Sequence, residues 1–501
     1  MKKRPNIVII NPDQMRADSM SHLGNPASFT KNLDALAQEG VSFRNAFCQN
    51  PVCTPSRCSF MTGWYPHVNG HRTMTHMLQN HEPVLLKYLK DDGYHVWMNG
   101  RNDLLPAQNP DYPMSYCDTY FVPGEAPARS SGTGWRGDPD GDNYYSFYQG
   151  KIEAERDPDQ LWVEGARDFI RDYDSENEKP FCIFLPLMNP HPVYAVPDPY
   201  FSMIDRQKLP PRIDAGGFKG KPRILKELNR LQRLGGWDES RFDELRATYL
   251  AMCCRVDDFV GMIVSQLKAK GIYDDTAIFV FSDHGDYTGD YGIVEKAQNC
   301  FEDCLTNVPF LVKPPLSTQT NKIGIQEPLV ELIDFYATVE DIAGLQPKHT
   351  HFGKSLIPYL QGKENMLRDA VFCEGGFRRG EEHCKETGGG PAPAPEGLYY
   401  PRQSLQCSDE MYNGKAIMCR TNRYKYVRRL YEGDELYDLD NDPRELDNLA
   451  GDAAYRDTLL ALKERLLTHY MDTCDAVPFQ KDQRFDESMR GLSCPGTRRG
   501  M

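Results

Sequence analysis

Residues 50–63, NPVCTPSRCSFMTG, place a thiol, Cys53, just before a Thr-Pro pair and a guanidinium, Arg57, four residues further on. Thr54 is a good N-cap, Pro55 suits a first helical position and Gly63 suits a stop. Cys53 is therefore expected at a helix N-terminus, where unpaired N–H groups and the helix dipole favour an anion and lower a thiol pKa. Arg57, one turn in, reaches back to the same point. Together they read as a reactive cysteine beside an oxyanion site. Three blander readings stand next to it. Cys53 is a small buried hydrophobe; or Cys48, Cys53 and Cys58 ligate a metal, although zinc sites favour shorter paired spacings; or the site is a cysteine phosphatase, which needs its arginine two residues later.

Three other chemically capable groups sit where buried strands end. Residues 6–11 (NIVIIN) run into Pro12-Asp13-Gln14, and residues 181–188 (FCIFLPLM) into Asn189-Pro190-His191-Pro192. Residues 277–282 (AIFVFS) run into Asp283-His284-Gly285-Asp286. Open α/β sheets bind ligands beyond the carboxyl ends of their strands. Short β-branched runs alternate with amphipathic segments through the first two-thirds of the chain. That pattern predicts an α/β fold, a large, mostly parallel or mixed sheet flanked by helices. Residues 1–370 are expected to form the catalytic domain, and 371–501 a smaller α+β subdomain with a polar tail. Within the latter, 424–427 and 435–439 read as a hairpin and 457–470 as an amphipathic helix. Residues 101–161 read as an irregular insertion over the site, and 375–401, with GGGPAPAP, as a second irregular stretch.

Composition narrows the function classes. A net charge of −14 over 501 residues argues against a nucleic-acid partner. No apolar run approaches a membrane span. The opening MKKRPNIVII is basic, but its apolar run is too short for a signal peptide, so a cytoplasmic protein is expected. Fifteen scattered cysteines, with Cys253-Cys254 adjacent in a helical stretch, suit a reducing compartment better than a disulfide framework. No internal repeat and no oligomerisation motif is evident.

Cys53-Thr54-Pro55-Ser56-Arg57, followed by Thr62-Gly63, resembles the signature of the type I sulfatases in the alkaline phosphatase superfamily. The resemblance implies that a sulfatase-maturing enzyme oxidises Cys53 to Cα-formylglycine, whose aldehyde hydrate is the nucleophile. It implies Asp13, Asp283 and His284, with residue 53, as ligands of a divalent metal. Gln14 stands where the common form has a second Asp. His284 stands where many sulfatases have Asn, as in the branch that includes choline sulfatases and phosphonate monoester hydrolases. His191 matches the leaving-group histidine and Lys296 the sulfate-binding lysine. At the family's Gly-Lys-Trp-His motif the chain has Gly100-Arg101-Asn102-Asp103, so Arg101 stands for Lys and Asp103 for His. Glu435-Leu436-Tyr437-Asp438-Leu439 with Asn441-Asp442-Pro443 is similar to the C-terminal subdomain hallmark. The matches follow family order from Asn6 to about Tyr470.

What the resemblance implies is a sulfatase acting on a sulfate monoester. Mostly oxygen ligands favour Ca²⁺, while the histidine leaves Mn²⁺ or Mg²⁺ open. Arg57, Arg101 and Lys296 would add fixed positive charge around the sulfate. A small sulfated sugar or an aryl or steroid sulfate is expected as substrate. Its pocket walls would come from residues 106–150, with Trp135 and Arg136, and 375–401, with Arg378, Arg379 and His383. Taken singly, each residue has a plainer reading: Asp13 or Asp283 as a helix cap, His191 as a loop histidine, Lys296 as a solvated charge, Arg101 as a partner of Asp103. His67, His71 and His76 read as loop or packing histidines. Two rival functions are a phosphonate or phosphate monoester hydrolase on the same scaffold, and a non-catalytic binder of sulfated glycans.

Overall fold

A computed structural model describes residues 4–106, 112–124, 147–153, 157–174, 179–395 and 397–481. Its strands are β1 (Asn6–Asp13), β2 (Val41–Phe47), β3 (His95–Asn99), β4 (Thr119–Phe121) and β5 (Tyr148–Ile152). They continue with β6 (Phe181–Pro190), β7 (Tyr194–Pro197), β8 (Thr276–Phe281), β9 (Phe310–Lys313) and β10 (Gly324–Glu331). The last four are β11 (Val371–Gly375), β12 (Ala416–Arg420), β13 (Tyr424–Arg429) and β14 (Glu435–Asp438).

Among the described residues, eight strands form one sheet in the order β10-β2-β9-β8-β1-β6-β3-β4. β1 lies parallel to both β6 and β8, while β9 runs antiparallel to β2 and β8. The expected mixed, mostly parallel sheet is therefore what forms. The period of two along β1 explains its burial on both faces. Ile7 and Ile9 enter one core, shared with the helices Cys53–Thr62 and Ile333–Ala343. Val8 and Ile10 enter the other, under the long helix Glu239–Ala269. That helix carries Cys253 and Cys254, both buried, and every described cysteine is a free thiol. No described helix is long and apolar enough to cross a membrane.

β11–β14 make a separate four-stranded antiparallel sheet, with the expected 424–439 hairpin as β13 and β14. The helix Arg456–Thr473 packs on it. The described parts of the 101–161 stretch include two short strands. β4 extends the edge of the main sheet, and β5 pairs with β7. Both strands are short and gain order from partners distant in sequence, which local patterning cannot register.

Buried ion pairs seat the small sheet. Lys425 Nζ donates to Asp303 at 2.6 Å, and Lys221 Nζ donates to Glu302 at 3.0 Å. Burial opposes ionisation of Glu302, yet the Lys221 ammonium and the Tyr287 hydroxyl outweigh it and draw its carboxyl down to about 2. The folded pKa thus lies below the unfolded one, so this stabilisation is present above about pH 4.3 and fades as pH falls toward 2. Glu302→Gln should cost about 3 kcal/mol at pH 7, because it strands a buried ammonium. The gap from wild type should shrink below pH 4. Urea titrations of both proteins at pH 7 and pH 3 test this, and a gap independent of pH would refute it.

Candidate active site

The carboxyl ends of β1, β6 and β8 lie side by side, and short cross-links hold them in register. The Ser282 hydroxyl donates to the Pro12 carbonyl at 2.9 Å and accepts from the Met15 N–H at 2.7 Å. The Gln14 N–H donates to Asp283 Oδ1 at 3.0 Å, with Gln14 held at φ 70°. A left-handed φ costs a residue with a Cβ, and such strain persists where the surroundings over-determine it. Gly285 admits no side chain, since a Cβ there would lie 2.0 Å from the Cys304 carbonyl oxygen. These contacts bring Asp13 beside Asp283 and His284, all fully buried.

The helix carrying Cys53 runs Cys53–Thr62, so it begins two residues earlier than the Thr-Pro pair suggests. Val52 is the extended N-cap, and the first turn closes from the Ser56 N–H to the Val52 carbonyl at 3.2 Å. Thr54 does not cap; its hydroxyl donates to the Met74 carbonyl at 3.3 Å. Gly63 ends the helix at φ 70°, as expected. Cys53 still occupies the helix start, but the expected low thiol pKa does not follow. Burial and the Asp13 carboxylate push the thiol well up, against the pull of Lys296.

Four donor atoms, from Asp13, Cys53, Asp283 and His284, lie within 4.8 Å of one another. Cys53 Sγ is 3.2 Å from His284 Nε2 and 3.5 Å from Asp13 Oδ1. His284 Nδ1 is engaged by the Gly285 carbonyl at 2.8 Å, which turns the Nε2 lone pair toward the cluster. Burial holds this imidazole below its usual pKa, in the neutral form that a metal requires. This donor set, two carboxylates and a neutral imidazole, fits a divalent cation.

Cations surround the cluster. Arg57 Nε donates to Asp283 Oδ2 at 2.9 Å and its Nη2 to Asp13 Oδ2 at 2.8 Å. Arg101 Nη2 donates to Asp13 Oδ2 at 2.5 Å and lies 3.1 Å from Asp103. Burial opposes ionisation of Asp13, but the Arg101 and Arg57 guanidiniums prevail and hold it well below the usual carboxylate range. Arg57 Nη1 and Arg101 Nε are buried without a hydrogen-bond partner among the described residues. An oxyanion would satisfy both. Lys296 is buried, not solvated, and donates to Gln14 Oε1 at 2.6 Å while pairing with Glu295 at 2.9 Å. Gln14 also donates to Asp286, so its amide orients Lys296 against the cluster. His191 follows β6, its Nδ1 2.6 Å from the Pro192 carbonyl. Burial and the Lys296 charge press its pKa down to about 3. Asp159, on the helix Pro158–Asp172, accepts from the Met188 and Asn189 N–H groups at 2.7 and 2.8 Å and so positions the His191 turn.

Cys53, Arg57, Arg101, Asp13, Asp283, His284 and Lys296 thus converge, and His191 flanks them. The wall residues are another matter. Trp135 and Arg136 lie outside the described residues. Arg378 is held by Glu381 through Nε at 3.0 Å, Arg379 covers the Tyr431 ring, and His383 lies against His76 with ring centres 5.9 Å apart. His67 and His71 are tied to Glu374 and Glu82, in keeping with packing roles. Sequence reading missed Glu295, Asp159 and Tyr399, and it named Asp286 in the Asp283-His284-Gly285-Asp286 run without giving it a role. Glu295, adjacent to Lys296 and at φ 69°, was the nearest to being found.

Comparison with known proteins agrees with this geometry. The chain is 27% identical to a multifunctional alkaline phosphatase superfamily protein of Trinickia caryophylli, over 93% of this chain and 97% of that protein. It is 24% identical to the choline-sulfatase of Rhizobium meliloti, over 96% and 90% respectively. The fold matches the phosphonate monoester hydrolase of Silicibacter pomeroyi with a TM-score of 0.72 at 22% identity, covering 94% of this chain and 96% of that one. The Sulfatase family profile matches residues 5–345, the span that carries every converging residue described above, and the chain belongs to that family, within the alkaline phosphatase superfamily.

Proposed function

We propose that the chain hydrolyses a sulfate monoester, a small sulfated sugar or an aryl or steroid sulfate, through a formylglycine hydrate at position 53. One observation carries this reading: four donor atoms within 4.8 Å, ringed by Arg57, Arg101 and Lys296. Asp13, Asp283, His284 and residue 53 would hold the cation, Ca²⁺ by its oxygen-rich donors, with Mn²⁺ or Mg²⁺ compatible with His284. Bound there, such an ion supplies Lewis acidity and orients a sulfate oxygen.

The chain's own residues do the rest. A thiol with a raised pKa is unsuited to attack, which supports oxidation of Cys53 by a maturing enzyme before catalysis. Asp283 accepts the proton of the attacking hydroxyl of the hydrate. Arg57, Arg101 and Lys296 neutralise the equatorial oxygens where water is excluded. His191 attends the departing oxygen. The second hydroxyl of the hydrate then loses its proton and expels sulfate, restoring the aldehyde. A serine would instead leave a sulfated enzyme waiting on water. The scattered cysteines, free thiols throughout the described residues, support a reducing compartment, the cytoplasm, as its place of action.

A second reading is favoured by a specific feature. Gln14 and His284 stand where many sulfatases have Asp and Asn, and phosphonate monoester hydrolases share the fold. One preparation assayed on 4-nitrophenyl sulfate and on 4-nitrophenyl phenylphosphonate separates the two. A kcat/KM at least about tenfold higher on the sulfate is expected, and the reverse ratio would reassign the enzyme.

A further inference from the structure

Tyr399, outside every motif, stands just before the helix Tyr400–Ser408 and reaches the leaving-group side of the site. Its hydroxyl lies 3.5 Å from His191 Nε2. Its ring packs on Phe147 with centroids 5.6 Å apart, and the Arg402 guanidinium lies 5.5 Å from the ring centre. The Nδ1 proton of His191 is spent on the Pro192 carbonyl, so Nε2 presents a lone pair toward Tyr399. Lys296 and Arg101 oppose a second proton on that imidazole. The standing donor at this place is therefore the Tyr399 O–H.

We propose that Tyr399 is a second leaving-group residue, whose hydroxyl, facing the His191 Nε2 lone pair, donates its proton to the departing oxygen. This inference rests on the proposed ester hydrolysis. The bond from the central atom to the leaving oxygen breaks, and its electron pair passes to that oxygen. The Tyr399 proton follows, leaving a phenolate in the field of Lys296 and Arg402, and solvent water returns a proton. Burial holds the Tyr399 pKa up at about 12, with Lys296 and Arg402 pulling against it, so the group is protonated at rest. Transfer to an alkoxide is then downhill, whereas a nitrophenolate needs no proton. A gap of 3.5 Å in the free enzyme leaves both groups facing one oxygen, and such contacts tighten once substrate is seated.

Tyr399→Phe keeps the ring and its packing. Its kcat/KM is measured on a simple alkyl sulfate and on 4-nitrophenyl sulfate, and on phenylphosphonates of the same two alcohols. The alkyl ester should lose roughly 10²-fold, and the nitrophenyl ester less than about threefold. Combined with His191→Asn, the alkyl loss should fall short of the product of the single losses, since both residues serve one oxygen. Equal losses on the two leaving groups, or full additivity, would overturn the role of Tyr399. A wild type that turns over only the phosphonates overturns the sulfate reading and leaves the test of Tyr399 intact. One that turns over neither overturns the proposed function and this inference with it.

Discussion

Cys53→Ser and Cys53→Ala are expected to fold and to lose turnover by at least about four orders of magnitude. The side chain at 53 is buried and small, and its packing neighbours are polar groups of the site, so a hydroxyl or methyl fits the same volume. What neither variant can supply is an aldehyde. Without it there is no second hydroxyl to expel the transferred group. The unmodified thiol is no substitute, because burial and Asp13 hold it protonated. A peptide-mass measurement on active wild-type protein should find residue 53 without its sulfur. Active protein with an intact thiol at 53, or a serine variant retaining more than about 1% of activity, would refute the nucleophile assignment.

Chelation has the next largest expected effect. Asp13 and Asp283 each spend one oxygen on Arg57, while the remaining donors of the cluster crowd within 4.8 Å. Removing a bound cation leaves this crowding uncompensated. Turnover should fall to background, and the urea midpoint should drop. A cation at about 100 times its Kd adds about 2.7 kcal/mol to folding stability. Adding back Ca²⁺ should restore both, and a stronger response to Mn²⁺ would assign selection to His284. Asp283→Asn should abolish the stability response to metal, which separates ion loss from mere loss of activity. Indifference of wild-type activity and urea midpoint to exhaustive chelation would remove the ion from the site.

Much of the centre was legible because its residues sit at strand ends and at a helix start. There a short apolar run or a Pro-Gly punctuation marks the place, and chemistry-bearing residues stand out against it. The helix boundary slipped because Val52 caps through its backbone, with no side-chain cap that a residue type could announce. The thiol was misjudged for a deeper reason. A helix N-terminus is a local feature, but the carboxylates that raise the pKa come from residues 13 and 283. Tyr399 and Asp159 were illegible altogether, since each acts on the His191 region from a different part of the chain.

By itself the order of residues determined the sheet class, the family signature around Cys53 and the identity of the groups proposed to hold metal and sulfate. Those follow from periodicity and residue type, which are properties of short segments. Only the tertiary structure decided which charges face which. It buried Lys296 behind Gln14, gave Asp13 to two guanidiniums and set Tyr399 against His191. Electrostatic energy depends on distance and on the exclusion of water, and neither exists until segments hundreds of residues apart have packed together.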